Sequence, residues 1–98
     1  MYRRVVVTGI GAITPLGNSA QATWDGLVSG QSGIGRITLF DPSPYEVQIA
    51  GEVKDFDPLL YVDRKDARRM DRNVQFAVAA ARQAVDDAHL CINASNAE

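Results

Sequence analysis

The run Val5-Val6-Val7-Thr8-Gly9-Ile10-Gly11-Ala12-Ile13-Thr14-Pro15-Leu16-Gly17 limits the fold more than any other part of the chain. Three consecutive β-branched side chains fit a pleated strand, and apolar character on both faces suits a strand covered on both sides, as in a parallel sheet. Gly9, Gly11 and Gly17 loosen the backbone that follows, and Pro15 lacks a ladder donor, so the strand is expected to leave its sheet there. Gly-x-Gly after an apolar strand also raises dinucleotide binding, with pyrophosphate on a helix N-terminus. The spacing departs from that pattern. Thr14 stands where the third glycine belongs, and Pro15 follows where a helix should already be running. Asp25 falls in a predicted helix and Asp41 precedes a proline, so neither is the acidic residue that ends a second strand. The glycines therefore read as points of close backbone packing.

Ninety-eight residues make at most one small domain, and 46% hydrophobic residues is ordinary for a globular chain. Ten Lys and Arg against twelve Asp and Glu give a formal charge of −2, which offers no general attraction to nucleic acid or an anionic membrane. Cys91 is the single cysteine and cannot form an internal disulfide. With no secretory signal and no long apolar run, a cytoplasmic location is the expectation.

Along the chain, Asn18 or Ser19 is placed to cap a helix through about Val28, with Ala20, Trp24, Leu27 and Val28 near one face and Trp24 as its core anchor. Gly30-Gln31-Ser32-Gly33-Ile34-Gly35 ends that helix in a loop that lacks the Lys-Ser/Thr ending of a P-loop. Arg36 to Phe40 reads as a short extended piece stopped by Asp41-Pro42-Ser43-Pro44. Val47 to Val53 alternates as a strand with Val47, Ile49, Gly51 and Val53 on its buried side. Asp57-Pro58 marks a turn, Asp63 an N-cap with Asp66 in the first helical turn, and Asp71 the cap of a longer helix from Arg72 to about His89. That helix carries a stripe of Val74, Val78, Ala81, Val85 and Ala88. Its many alanines make it thin, which favours close approach by another helix. Ile92 to Glu98 is a weak polar tail.

Nucleophilic catalysis needs a thiolate or alkoxide beside a base. His89 and Cys91 supply the two element types, but positions i and i+2 point apart on a helix such as the one predicted to end here, so Cys91 reads as structural or incidental. A single histidine and scattered carboxylates support neither a metal site nor paired acid–base work, and nothing calls for a cofactor. The one charged constellation is Arg64, Lys65, Arg68, Arg69 and Arg72, half of the chain's basic residues within nine positions. Lys65, Arg68, Arg69 and Arg72 share one face if a single helix runs that far. A solvated face paired locally to Asp66 and Asp71 competes with a surface for an acidic partner or phosphate. Nucleic acid is disfavoured because no aromatic residues interleave with the charges.

Arg3-Arg4-Val5-Val6-Val7-Thr8-Gly9-Ile10-Gly11, Thr14-Pro15-Leu16-Gly17-Asn18, Gly30-Gln31-Ser32-Gly33-Ile34, Ala50-Gly51-Glu52-Val53-Lys54-Asp55-Phe56 and Asp63-Arg64-Lys65-Asp66-Ala67-Arg68-Arg69-Met70-Asp71-Arg72 occur in that order. Together they closely resemble the N-terminus of the β-ketoacyl-acyl carrier protein synthase II family. Type I synthases and polyketide ketosynthases share parts of these motifs, and Lys54-Asp55-Phe56 with the Arg64–Asp71 run favours type II. The resemblance implies an α/β chain: the N-terminal part of a thiolase-like α-β-α-β-α fold, incomplete here, with residues 1–98 forming a segment of its first half. It also implies decarboxylative condensation with malonyl-acyl carrier protein in fatty acid synthesis, and a homodimer when full length. The partners it implies are acyl carrier protein and its acyl and malonyl thioesters.

The family's catalytic cysteine, histidines and lysine lie in later motifs that do not occur here, so the resemblance assigns no catalytic residue to this chain. It does match Lys65, Arg68 and Arg69 to the basic patch that guides acidic acyl carrier protein. His89 stands where similar sequences have a glycine suited to a left-handed helix cap. The chain stops at Asn93 to Glu98, where a further central strand is expected. A segment of a condensing enzyme is thus favoured over a stand-alone carrier-binding module or a piece of a polyketide ketosynthase.

Overall fold

The computed structural model describes residues 2–96. It divides into two compact units: residues up to Gly11 with those from Pro58 onward, and Ala12–Asp57.

In the Ala12–Asp57 unit, Pro15 sits in a tight turn closed by the Thr14 amide on the Gly17 carbonyl at 2.9 Å and the Gly17 amide on the Thr14 carbonyl at 3.2 Å. Helix α1 (Ala20–Val28) follows. Ser19 is extended and its Oγ accepts from the Ala22 amide at 3.1 Å, so an otherwise orphaned donor is satisfied where the sequence places a cap. At the other end Gly30 takes φ +73°, and the Gly30 and Gln31 amides return to the Leu27 and Gly26 carbonyls. Trp24 is not the predicted core anchor. It is 61% exposed, while Gly26 is the buried residue of α1.

Strands β1 (Ile34–Arg36) and β2 (Ile49–Gly51) pair antiparallel, Ile34 opposite Gly51 and Arg36 opposite Ile49. Strand β1 thus shares only Arg36 with the extended piece expected over Arg36 to Phe40, and the expected Val47–Val53 strand is shorter. Its faces are also reversed, with Val47 and Ile49 exposed and Ala50 half-buried. A ladder two strands wide has no second layer to enforce one covered side, so alternation alone does not fix the face. Between the strands the Asp41 carboxylate accepts from the Ser43 amide and hydroxyl at 3.1 and 2.7 Å, forming the predicted proline-flanked turn.

In the other unit a 3₁₀ turn (Pro58–Leu60) leads to α2 (Arg64–Arg69) and α3 (Arg72–Asp87). Asp63 and Asp71 cap the two helices as expected, accepting from the Asp66 amide at 2.8 Å and the Val74 amide at 3.2 Å. The buried face of α3 differs from the predicted stripe. Ala79 is fully buried, with Phe76, Ala80, Gln83 and Ala84 half-buried; of the predicted stripe Val78 and Ala88 are half-buried, whereas Val74, Ala81 and Val85 are exposed.

The cause is the glycine run rather than another helix. A Cβ at Gly9 would collide with the Ala84 carbonyl oxygen, and one at Gly11 with the Ala80 carbonyl oxygen. Backbone therefore packs against the alanine face, and moving contact from Ala81 and Val85 to Ala80 and Ala84 turns the helix by about 100°. Past Ala88, His89 adopts φ +55°, the left-handed conformation of a helix end, and its amide bonds to the Asp86 carbonyl at 3.1 Å. In the tail the Asn93 amide bonds to Asn96 Oδ1 at 2.8 Å, while Ala97 and Glu98 lie outside the described residues.

Val5, Val6 and Val7 form no ladder among the described residues and are 94%, 64% and 80% exposed. The predicted covered strand is not formed here, because a strand exists only through a neighbouring edge that takes its amides and carbonyls.

Candidate functional site

The basic constellation is built by two N-caps. Asp63 starts α2, Asp66 lies in its first turn, and Arg68 and Arg69 lie in its last, the order that opposes each charge to the nearer end of the helix dipole. Met70 then turns extended, at φ −107° and ψ 138°, and Asp71 begins α3. Gln75 Nε2 crosses that junction to donate to the Ala67 carbonyl at 3.1 Å and the Met70 carbonyl at 3.5 Å, covering acceptors left open by the end of α2.

Lys65, Arg68 and Arg69 therefore share one exposed face of α2, as their i, i+3, i+4 spacing predicts. Arg72 does not extend that face. The helix breaks at Met70, and the Arg72 guanidinium lies 4.9 Å from the centroid of the Phe76 ring, a cation–π contact on α3. The local pairs of the competing reading are absent for the three cations: among the described residues none of Lys65, Arg68 and Arg69 bonds to a carboxylate. Their side chains are exposed. Such a face can attract an anionic surface over a Debye length, but it holds no nucleophile and no base.

Cys91 is an exposed free thiol, and His89 Nδ1 lies 2.9 Å from the Asp86 carbonyl oxygen instead of turning toward it. The glycine run is spent on packing against α3, with the Cβ side of Gly9 and Gly11 filled by the Ala84 and Ala80 carbonyls.

Other charged contacts were not visible in the sequence. Lys54, read only as part of a charged connection, donates from Nζ to the Glu52, Pro15 and Gly33 carbonyls at 3.0, 3.1 and 3.3 Å. Asn18 Nδ2 donates to the Lys54 and Asp55 carbonyls at 2.9 and 3.2 Å. The Glu52 carboxylate accepts from Thr38 N, Thr38 Oγ1 and Leu39 N. Desolvation raises the Glu52 carboxyl, but these bonds and the Lys54 charge outweigh it and the group sits below its ordinary value. Asp41 is lowered by the Ser43 hydroxyl and then by the Ser43 amide. No spacing rule links Lys54 to Pro15 or Glu52 to Thr38, since the turn and the ladder create both.

Comparison with known proteins accounts for the pattern. Residues 2–97 match the family described as Beta-ketoacyl synthase, N-terminal domain. The chain is 56% identical over 98% of its length to 3-oxoacyl-[acyl-carrier-protein] synthase 2 of Synechocystis sp., and 49% identical over the same share to the protein of that name from Staphylococcus aureus strain COL. It spans 23% of the length of each of these relatives. Among solved structures, the ishigamide ketosynthase/chain length factor superposes with a TM-score of 0.80 at 44% identity, over 93% of this chain and 23% of that one. The fold is therefore the N-terminal part of a thiolase-like α/β architecture, and the chain belongs to the beta-ketoacyl synthase family through its N-terminal domain.

Proposed function

We propose that residues 1–98 are an N-terminal segment of a 3-oxoacyl-[acyl-carrier-protein] synthase II, supplying scaffold and one docking surface to an enzyme whose chemistry is carried elsewhere. The carrying observation is 56% identity along nearly the whole chain to a relative of that name. The reaction in this reading is acyl transfer with carbon–carbon bond formation: loss of CO2 from a malonyl thioester leaves a carbanion that attacks the carbonyl of an acyl thioester, the C–S bond of that thioester breaks to release its thiolate, and the chain is lengthened by a two-carbon unit. The isolated segment is inactive in this reading, because Cys91 and His89 form no nucleophile–base pair.

The uncovered apolar residues support a larger whole. Val5, Val7, Trp24 and Leu60 are each more than half exposed, which suits surfaces that further sheet, helix or a second subunit of a homodimer would cover. Lys65, Arg68 and Arg69 would meet an acidic acyl carrier protein. No helix among the described residues is long and apolar enough to cross a membrane, which fits a cytoplasmic enzyme using carrier-bound substrates. A polyketide role is the second reading, favoured by the likeness to a ketosynthase/chain length factor.

The test is to supply acyl- and malonyl-acyl carrier protein to the isolated chain and to the complete enzyme containing it, and to identify β-ketoacyl product. Product from the isolated chain, lost on Cys91→Ala, would overturn the division of labour. No product from the complete enzyme would overturn the condensation reading, and repeated extension without reduction would favour the polyketide one.

A further inference from the structure

We propose that Lys54 is the resident cation of a three-carbonyl site, a tethered ammonium in the place of a bound monovalent cation. Its ammonium carries three donors and no acceptor, and three backbone carbonyls take them: Glu52 at 3.0 Å, Pro15 at 3.1 Å and Gly33 at 3.3 Å. These oxygens come from three separate stretches of the Ala12–Asp57 unit: the Thr14–Gly17 turn, the loop after α1 and the end of β2. Three carbonyl dipoles aimed at one point are repulsive unless a positive charge lies among them. The chain's own lysine supplies it.

The surroundings hold both ends of the tether. The Lys54 carbonyl accepts from Asn18 Nδ2 at 2.9 Å, and Asp55, the next residue, is bent to φ +55°. A cavity of about 240 Å³ lined by Thr14–Asn18, Lys54 and Asp55 adjoins the site on its Pro15 side. Pro15 packs where a Cβ on Gly33 would fall, and its ring also meets Gly51, so the three segments are already close before the ammonium joins them. Arginine is a poor substitute, because a planar fork does not match three acceptors converging on one point.

Two consequences distinguish this role from that of an ordinary exposed lysine. Emptying the site by Lys54→Ala leaves three converging carbonyls that a small ammonium ion can refill. In the native protein, the Lys54 amine must also break its bonds before it can react. The chain has one other lysine, Lys65, which makes no bond among the described residues and serves as an internal reference.

The experiment labels the native protein with a trace of an amine-reactive acylating reagent and compares Lys54 with Lys65 by peptide mass spectrometry. Lys54 is expected to react about tenfold more slowly, with the ratio approaching one in denaturant, since bonds to a charged donor are the stronger kind. Equal native rates would overturn the proposal. In parallel, the thermal midpoint of Lys54→Ala is followed against methylammonium, with tetramethylammonium as the charge-matched ion that cannot donate. A rise with methylammonium alone, absent from wild type, is expected. Equal response to both ions, or none, would overturn it. If Lys54→Ala does not fold, Lys54→Arg replaces it: a midpoint equal to wild type would overturn the claim of a site shaped for an ammonium.

Discussion

The Ile10 amide donates to the Asp87 carboxylate at 3.0 Å, joining residues 77 positions apart. This bond ends a contact that begins where Gly9 and Gly11 lie against Ala84 and Ala80, so the most conspicuous glycines of the chain and the last turn of α3 form one packed unit. The glycines lack side chains because helix backbone occupies that space, and Asp87 fixes how far along the helix the segment sits.

Substitution at Gly11 should therefore be costly while the same change at Gly35 is not. Gly11→Ala forces a methyl into the Ala80 carbonyl, and overpacking of this kind costs about 1–3 kcal/mol or more. Nothing lies within 4 Å of a Cβ at Gly35, so Gly35→Ala should be neutral or stabilising by up to about 1 kcal/mol through the unfolded chain. Urea denaturation of the two variants checks this. NAD titrated by calorimetry should give no saturable heat with wild type, because the packed glycines leave no cradle for its pyrophosphate.

At the end of α3, His89 holds φ +55° with a side chain that disfavours it. His89→Gly should stabilise by about 1 kcal/mol, the approximate cost of the left-handed conformation for an ordinary residue. The bond between His89 Nδ1 and the Asp86 carbonyl at 2.9 Å opposes this gain. His89→Ala loses that bond and keeps the strain, so it should be less stable than wild type. Thermal melts that rank Gly above His and His above Ala agree with this account.

These features differ in how far they were legible beforehand. Asp63 and Asp71 could be placed as caps, and Ser19 as one of two candidates with Asn18, because a cap bonds two or three residues away, and the helices begin at these residues. The α2 face followed from i, i+3, i+4 spacing, but Arg72 was wrongly added because nothing local announces the extended Met70. The α3 stripe held at Val78 and Ala88 and failed at Val74, Ala81 and Val85 for a different reason. Valine periodicity favours Val74 and Val85, while a glycine segment distant in sequence selects the alanines. Trp24 and Val5–Val7 show the same limit, since burial depends on what lies opposite and no local pattern reports that.

Acid should weaken the Ala12–Asp57 unit through Asp41 and Glu52. Both carboxyls are lower in the folded protein than their ordinary values of 3.8 and 4.5, so the unfolded chain binds protons more readily than the folded one. Their contribution is full above the ordinary values and is lost as pH falls through the lowered ones. Stability measured between pH 7 and pH 3 should decline mainly below about 4.5, the upper ordinary value. The decline should be smaller in Glu52→Gln, which also loses stability at pH 7 because the amide cannot accept as a charged group from Thr38 and Leu39. An unchanged acid slope in that variant would place the dependence elsewhere.

The docking reading turns on whether Lys65, Arg68 and Arg69 act on encounter or on chemistry. All three are exposed, and unbonded among the described residues, on one short helix, so reversing them to Glu should leave the fold intact, apart from weakening the last turn where Arg68 and Arg69 oppose the dipole. Each exposed pair formed with an acidic carrier is worth about 0.2–1 kcal/mol, and reversal adds repulsion, so the triple variant should lose several kcal/mol of effective attraction, chiefly in association rate. In the complete enzyme, kcat/KM for carrier-bound substrate should fall steeply at low salt, while turnover of a small thioester mimic is preserved. Salt should narrow the gap, because the Debye length shrinks from about 8 Å at physiological ionic strength to about 3 Å at 1 M. Equal loss on both substrates would mean that these residues support folding or the active site. No loss on either would mean that the face is merely solvated, and the break at Met70 gives a further discriminator: Arg72→Glu, displaced onto α3 beside Phe76, should cost less carrier-dependent activity than any one of the three.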